Sequence, residues 1–226
     1  MSSGVGTGRL RKPGMHTPSN FTPRNGGYRH WVKRPMDLIV VLLLLPIALP
    51  LILIAAALVS LDGGAPFYAQ KRVGRRRKAF TIWKLRTMVP EADKILVAYL
   101  EANPDAAREW AITQKLKHDP RITPLGALLR KTSLDELPQL WNVLKGDMSL
   151  IGPRPMMLDQ TRLYPGTAYY DLRPGITGPW QVSDRNACSF AKRADYDEAY
   201  KHDLSLAVDL GILCRTVGAV VRGTGC

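Results

Sequence analysis

Residues 38–59 form an apolar run of 22 positions without a single charge, unlike any other stretch of the chain. As a helix rising 1.5 Å per residue, this run measures about 33 Å, enough to cross a hydrocarbon core of roughly 30 Å. Two features complicate a simple span. Pro46 and Pro50 remove two amide donors and free the carbonyls of Leu42 and Pro46 near the middle of the run. Basic residues also flank both ends, with Lys33 and Arg34 before it and Lys71, Arg72, Arg75, Arg76, Arg77 and Lys78 after it. A spanning helix places one of these clusters on the wrong side under the positive-inside rule. A re-entrant helix that bends near Pro46 and Pro50 keeps both on the cytoplasmic side. The charge flanks favour this second reading, and the first stays open.

Beyond the run, residues 80–88 alternate with a period of two. This predicts a strand with Lys84 and Arg86 on one face. Residues 91–103 and 105–117 read as helices separated by Pro104, and turns at Asp119-Pro120 and Pro124 precede a short helix over 125–131. In the stretch 132–147, Ser133 and Glu136 have capping-box spacing, with Leu137, Leu140, Trp141 and Leu144 as the expected buried stripe and Gly146 as the stop. The last 23 residues are apolar but carry Asp209, Arg215 and Arg222. They suit either a helix lying in a membrane interface or one packed on the protein's own core.

Charge sharpens this division. The 226 residues carry a formal charge of +13, and the excess is entirely N-terminal: residues 1–90 hold 15 Lys and Arg against 2 acids, and residues 91–226 hold 17 against 17. A basic excess that brackets an apolar segment fits an anionic membrane surface. A nucleic-acid binder fits less well, because aromatics are not interleaved with the basic run. Residues 1–30, rich in Ser, Gly, Thr, Pro and Arg, are expected to be a disordered basic arm. Cys188, Cys214 and Cys226 are an odd number without metal-ligand spacing, which suits a cytosolic face.

Candidate chemistry lies in three places. Asp135 and Glu136 are adjacent carboxylates. Capping explains Glu136, but it explains Asp135 only as a favourable first-turn charge. Gly152-Pro153-Arg154-Pro155 mounts an arginine between two prolines, and Arg173-Pro174-Gly175 repeats the idea beside a turn glycine. Carboxylates able to hold a hard divalent cation, together with cations able to hold phosphates, make up the parts of a phosphoryl-transfer site. The chain has no Walker loop, G-x-G-x-x-G, H-E-x-x-H or G-x-S-x-G, which removes the common nucleotide-hydrolysing and serine-hydrolase readings.

Seven motifs occur in the order found in the bacterial sugar transferases: Lys33-Arg34-Pro35-Met36-Asp37, Gln70-Lys71-Arg72-Val73-Gly74, Lys84-Leu85-Arg86-Thr87-Met88, Ser133-Leu134-Asp135-Glu136-Leu137-Pro138-Gln139, Asn142-Val143-Leu144-Lys145-Gly146-Asp147-Met148-Ser149, Gly152-Pro153-Arg154-Pro155 and Arg173-Pro174-Gly175-Ile176-Thr177-Gly178. The chain resembles the small monotopic phosphoglycosyl transferases of that family over about residues 30–222. The resemblance implies transfer of a sugar phosphate from a UDP-sugar to polyprenyl (undecaprenyl) phosphate, with release of UMP, as the first membrane step of exopolysaccharide or glycoconjugate synthesis. It implies Asp135 as the nucleophile that forms a covalent aspartyl sugar-phosphate, and Asp135 and Glu136 as oxygen ligands for Mg2+. Arg154 becomes the phosphate clamp, with Lys84, Arg86 and Arg173 as weaker candidates for the same site. It also implies a membrane bend at Pro50, although Leu49 replaces the small residue usual there and Pro46 is an added candidate.

The expected fold is therefore α+β and mainly helical, on the cytoplasmic face of the bacterial inner membrane. It comprises the arm (1–30), a re-entrant membrane helix (31–61), and a cytosolic catalytic domain with short strands and amphipathic interfacial helices (62–226). The expected partners are UDP-sugar, polyprenyl phosphate and anionic phospholipid, and not nucleic acid. A homo-oligomer and the identity of the sugar, with galactose and glucose as first trials, stay open. A non-catalytic membrane-surface adaptor is the competing class. It accounts for the charge and the apolar run, but not for Asp135, Arg154 and Arg173 together.

Overall fold

The computed structural model describes residues 26–113, 116–183 and 190–222. Most of the expected arm, to residue 25, lies outside them, as do Cys188 and Cys226. Helical structure is already present before residue 31: a π-helical turn, Tyr28–Val32, leads directly into helix α1, Lys33–Ser60. Pro46 and Pro50 both lie inside α1, and neither ends it. They are four residues apart, so the two missing hydrogen bonds fall on one side of the helix and the rest of the ladder continues.

One side of α1 is buried through Asp37, Val41, Ala48, Ala55, Ala56 and Val59. The remainder is apolar and open, with Ile39, Leu42, Leu43, Ile47, Leu53 and Ile54 each more than half exposed. An apolar surface of this extent marks a membrane or partner contact. The described residues contain one helical span, Tyr28–Ser60, long and apolar enough to cross a membrane. On either side of the prolines, α1 packs on the same body. Val41 joins the main core with Phe80, Ile82, Val143, Ile151 and Ile212, and Ala55, Ala56 and Val59 pack with Leu85 and Leu129.

The body is mainly helical with two small sheets. Strands β1 (Phe67–Val73) and β2 (Ala79–Leu85) form an antiparallel hairpin, with Val73 opposite Ala79. The alternation read over 80–88 stops as a strand at Leu85, and Met88 makes only an isolated bridge to Ile122. Prolines set the next boundaries as expected: α2 (Ala92–Ala102) and α3 (Pro104–Thr113) meet at Pro104, and Pro124 opens α4 (Pro124–Thr132). The Thr123 hydroxyl caps α4 by accepting from the Gly126 amide. After α5 (Gln139–Lys145), Gly146 supplies the left-handed stop at φ 89°.

Strand β3 (Ser149–Ile151) pairs in parallel with β4 (Gly175–Thr177), separated in sequence by the short helix α6 (Ala168–Asp171). Helices α7 (Arg193–Asp203) and α8 (Leu206–Val221) close the body. The last segment packs on the protein's own core, one of its two readings. Its inner face carries Asp209, fully buried, which pairs with Lys33 at 2.7 Å and accepts hydrogen bonds from the Tyr28 and Tyr200 hydroxyls, each at 2.6 Å. Its outer face leaves Leu206, Leu210, Val217 and Val220 exposed, as an interfacial helix requires.

Two local expectations are corrected. Ser133 does not cap the following helix. Its backbone is left-handed, φ 57° and ψ 18°, because it closes α4, and its side chain makes no capping bond. An N-cap needs an extended backbone instead. The helix also starts later than the pattern suggests, after a 3-10 turn at Leu134–Glu136, which shifts the buried stripe. Gln139, Leu140, Asn142 and Val143 face inward, and Trp141 is 58% exposed.

Candidate active site

Closure of α4 at Ser133 directs the next three residues back toward the β1–β2 hairpin. Asp135 is buried in this turn, and Glu136 faces Lys84 on β2. Asn142 fixes the distance between the two elements: its amide donates to the Thr81 carbonyl at 2.7 Å, and its oxygen accepts from the Trp83 amide at 3.2 Å. With Asn142 fully buried, α5 and β2 are held together immediately before Lys84.

Lys84 Nζ lies 2.7 Å from Glu136 Oε1 and 3.9 Å from Asp135 Oδ2. Arg154, carried between Pro153 and Pro155, reaches Glu136 at 3.7 Å. The two carboxylates therefore differ in state. Burial pushes the Asp135 carboxyl up, and the neighbouring Glu136 charge adds to this, outweighing Lys84. Burial acts the same way on Glu136, but Lys84 and Arg154 more than offset it and hold the group well below the usual carboxylate range. Glu136 is fixed as an anion, whereas Asp135 accepts no hydrogen bond from the described residues and meets Lys84 only at 3.9 Å.

Lys84, Glu136 and Arg154 line a small open cavity with Arg72, Gln139 and Ile176. Arg72 Nε and Gln139 Nε2 are buried there without hydrogen-bond partners among the described residues. An unmet buried donor costs about 1–3 kcal/mol, so two of them beside two more cations mark a place for a multiply charged oxyanion. Arg72 is a functional candidate that the sequence reading missed, although it lies within one of the motifs. Its signal was the alternation Gln70-Lys71-Arg72, which places Gln70 and Arg72 on one strand face and joins them by a hydrogen bond.

Of the expected site residues, Asp135, Glu136, Lys84 and Arg154 come together, and Arg86 and Arg173 do not join them. Arg86 lies past the end of β2, where it pairs with Asp62 and donates to the carbonyls of Val59, Ala65 and Met88, clamping the C-terminal end of α1. Arg173 donates to the Gly146 carbonyl at 3.0 Å and lines a different cavity. Pro46 and Pro50 lie in α1, remote in sequence from the dyad.

The fit for Mg2+ rests on donor chemistry. The described residues contain no group of three or more metal-ligating side chains. Mg2+ is commonly held by one or two carboxylates with substrate phosphates completing the shell, and the Asp135 carboxylate beside a fixed Glu136 anion suits that mode.

Comparison with known proteins places these features in a family. The model for bacterial sugar transferases matches residues 28–223. The chain is 44% identical over 196 residues to the exopolysaccharide production protein ExoY of Rhizobium meliloti, covering 85% of this chain and 87% of that one. It is 44% identical over 213 residues to the undecaprenyl-phosphate galactose phosphotransferase of Salmonella typhimurium, covering 93% of this chain and 44% of the relative. It is 45% identical over 197 residues to the UDP-galactose-lipid carrier transferase of Erwinia amylovora, covering 86% and 41%. The chain thus spans most of the ExoY relative and less than half of the two longer ones. With a family model matched along nearly its whole length, the chain belongs to the bacterial sugar transferases.

Proposed function

We propose that the protein transfers a sugar phosphate from a UDP-sugar to polyprenyl phosphate, initiating exopolysaccharide or glycoconjugate assembly. The observation that carries this reading is Asp135: a buried carboxylate without a hydrogen-bond partner among the described residues, beside a cavity lined by Arg72, Lys84 and Arg154. An Asp135 oxygen attacks the sugar-bearing phosphorus, and the bond between that phosphorus and the bridging oxygen breaks. UMP leaves with the electron pair. An oxygen of polyprenyl phosphate then attacks the same phosphorus, and the aspartyl bond breaks to regenerate the carboxylate. Unlike a serine, a carboxylate needs no general base to become anionic.

The obstacle is repulsion between an anionic nucleophile and an anionic diphosphate. Lys84 and Arg154 oppose it, and Arg72 and Gln139 have donors free for phosphate oxygens. When bound by Asp135 and Glu136, Mg2+ supplies further charge neutralisation. The test is a half-reaction. With UDP-galactose or UDP-glucose and Mg2+, but no polyprenyl phosphate, the protein should release at most about one UMP per site and gain one sugar phosphate by mass, mapped to Asp135. An adduct on another residue, or continuous UMP release, overturns the covalent route.

We also propose that α1 is re-entrant, with both ends on the cytoplasmic face. What supports this is that Arg34 donates to the Val143 carbonyl and Arg86 to the Val59 carbonyl, so both ends of the helix are tied to one body. Single cysteines introduced at Ser19 and Ser60, in a background lacking the native three, should both resist a membrane-impermeant thiol reagent in intact cells and react after permeabilisation. Reaction of the Ser19 position alone in intact cells would show a span.

A further inference from the structure

A second and larger cavity, about 260 Å³, lies where α1 begins, and it takes no part in the chemistry above. Its lining carries five cationic side chains, from Arg29, Lys33, Arg34, Arg75 and Arg173, against two carboxylates, Asp37 and Asp171. Those carboxylates are engaged elsewhere. Asp37 accepts from the Ser149 hydroxyl and the Leu150 amide, and Asp171 pairs with Lys201 at 2.8 Å. Asp209 neutralises Lys33. Among the described residues none of the four guanidinium groups facing this space is in an ion pair with a carboxylate, although Asp171 lies near Arg29 and Arg75.

Arg75 is the telling member. Its Nε is buried without a hydrogen-bond partner among the described residues, while Arg29, Arg34 and Arg173 each donate to a backbone carbonyl. Burial, and then Arg173 and Arg29 nearby, push its pKa down. The hairpin turn that presents Arg75 is also strained: Arg76 and Arg77 both adopt positive φ, 57° and 61°, where glycine or asparagine is the usual choice. Stacking of Arg77 on the Tyr170 ring at 3.8 Å helps to hold that turn in place. A turn held in a costly shape to place a half-buried arginine, its buried Nε without a partner among the described residues, beside three others is a built site for an oxyanion.

We propose that this cavity binds the phosphate of a lipid headgroup, at a position separate from the Asp135 dyad. Its location selects a lipid. It opens beside the start of the apolar helix α1, next to Trp31, which is 80% exposed, and near the start of α8 with its exposed Leu206 and Leu210. The inference rests on the one-face seating of α1 for the lipid, and on the cavity alone for the phosphate.

Native mass spectrometry of the detergent-solubilised full chain tests it without turnover, so a failure of the proposed reaction is read separately. The probes are inorganic phosphate, phosphatidylglycerol and a short-chain polyprenyl phosphate, each added alone. Wild-type protein should carry one lipid adduct. Arg75→Gln should weaken it about tenfold, the scale of one charged hydrogen bond. Arg75→Lys, which keeps the charge and loses the fork, should weaken it less. Arg76→Gln removes the same charge from the exposed neighbour and should leave binding unchanged, as should Asp135→Asn. Preference for polyprenyl phosphate identifies a docking position for the acceptor, and preference for phosphatidylglycerol identifies an annular lipid. Equal weakening by Arg75→Gln and Arg76→Gln, loss of the adduct in Asp135→Asn, or binding of inorganic phosphate with neither lipid, overturns the proposal.

Discussion

Asp135→Asn should abolish turnover while making the folded protein more stable at neutral pH. Asparagine keeps the size and shape of the side chain but cannot form the aspartyl phosphate. UMP release should therefore fall by a factor on the order of 10⁴ or more, the scale seen when a nucleophile is removed. The stability change follows from linkage. Burial raises the Asp135 carboxyl above its unfolded value, so the folded state holds that proton more tightly. Its favourable contribution is complete below the ordinary carboxylate range and is lost as pH rises through the raised value. At pH 7.5 the wild type carries the full cost of a buried charge and the variant carries none. The variant should be more stable by about 1–3 kcal/mol, with the gap closing toward pH 4. Thermal unfolding at several pH values measures this. A simple helix-terminus role predicts the opposite pair of results: activity kept, and a loss of about 0.3–1 kcal/mol. The same raised carboxyl predicts that wild-type activity falls on the acid side at a pH above that of an ordinary aspartate.

Gly175→Ala should cost about 3–5 kcal/mol and the activity with it, through overpacking and lost hydrogen bonds. A β-carbon at Gly175 would lie 2.1 Å from the Gly152 nitrogen, 2.4 Å from the Thr177 oxygen and 2.7 Å from the Ile151 carbon, all backbone atoms with no side chain to swing aside. Relief requires β3 and β4 to separate, breaking the Gly152 amide bond to the Thr177 carbonyl at 2.9 Å and the Gly175 amide bond to the Pro153 carbonyl at 2.8 Å. Arg154 follows this junction directly, and Ile176 of the cavity lies within it. Gly211→Ala is the control: nothing lies within 4 Å of its β-carbon, and within α8 the change should stabilise by up to about 1 kcal/mol. Denaturant midpoints of the two variants should move in opposite directions.

The readable parts of the sequence were those set by composition or by a single residue. The charge-free run became α1, Pro104 and Pro124 marked helix starts, and Gly146 stopped α5. Asp135, Glu136 and Arg154 stood out as carboxylates beside a phosphate-binding candidate, the family resemblance added Lys84, and the four do converge. What the sequence obscured depended on tertiary contacts. Arg86 shares the strand alternation of Lys84, but the strand ends one residue earlier and Asp62 captures it. Trp141 has helical spacing with Leu137 and Leu144, yet the 3-10 turn before α5 rotates it outward. Asn142 carries no local signal of importance, and Arg72 only its alternation with Gln70. Their roles exist only once β1, β2 and α5 are assembled.

The anchoring of α1 also has a consequence for biosynthesis. It is the first helix of the body to leave the ribosome, but the groups that fix it are made much later. Asp37 finds Ser149 after 112 further residues, and Lys33 finds Asp209 after 176. Until then α1 has only the β1–β2 hairpin and the segments made just after it to rest on, and closing such long loops is slow. The polar contacts at the start of α1 are therefore among the last to form. A ribosome stalled before Asp209 would hold a helix whose lysine and tyrosine still lack their common carboxylate.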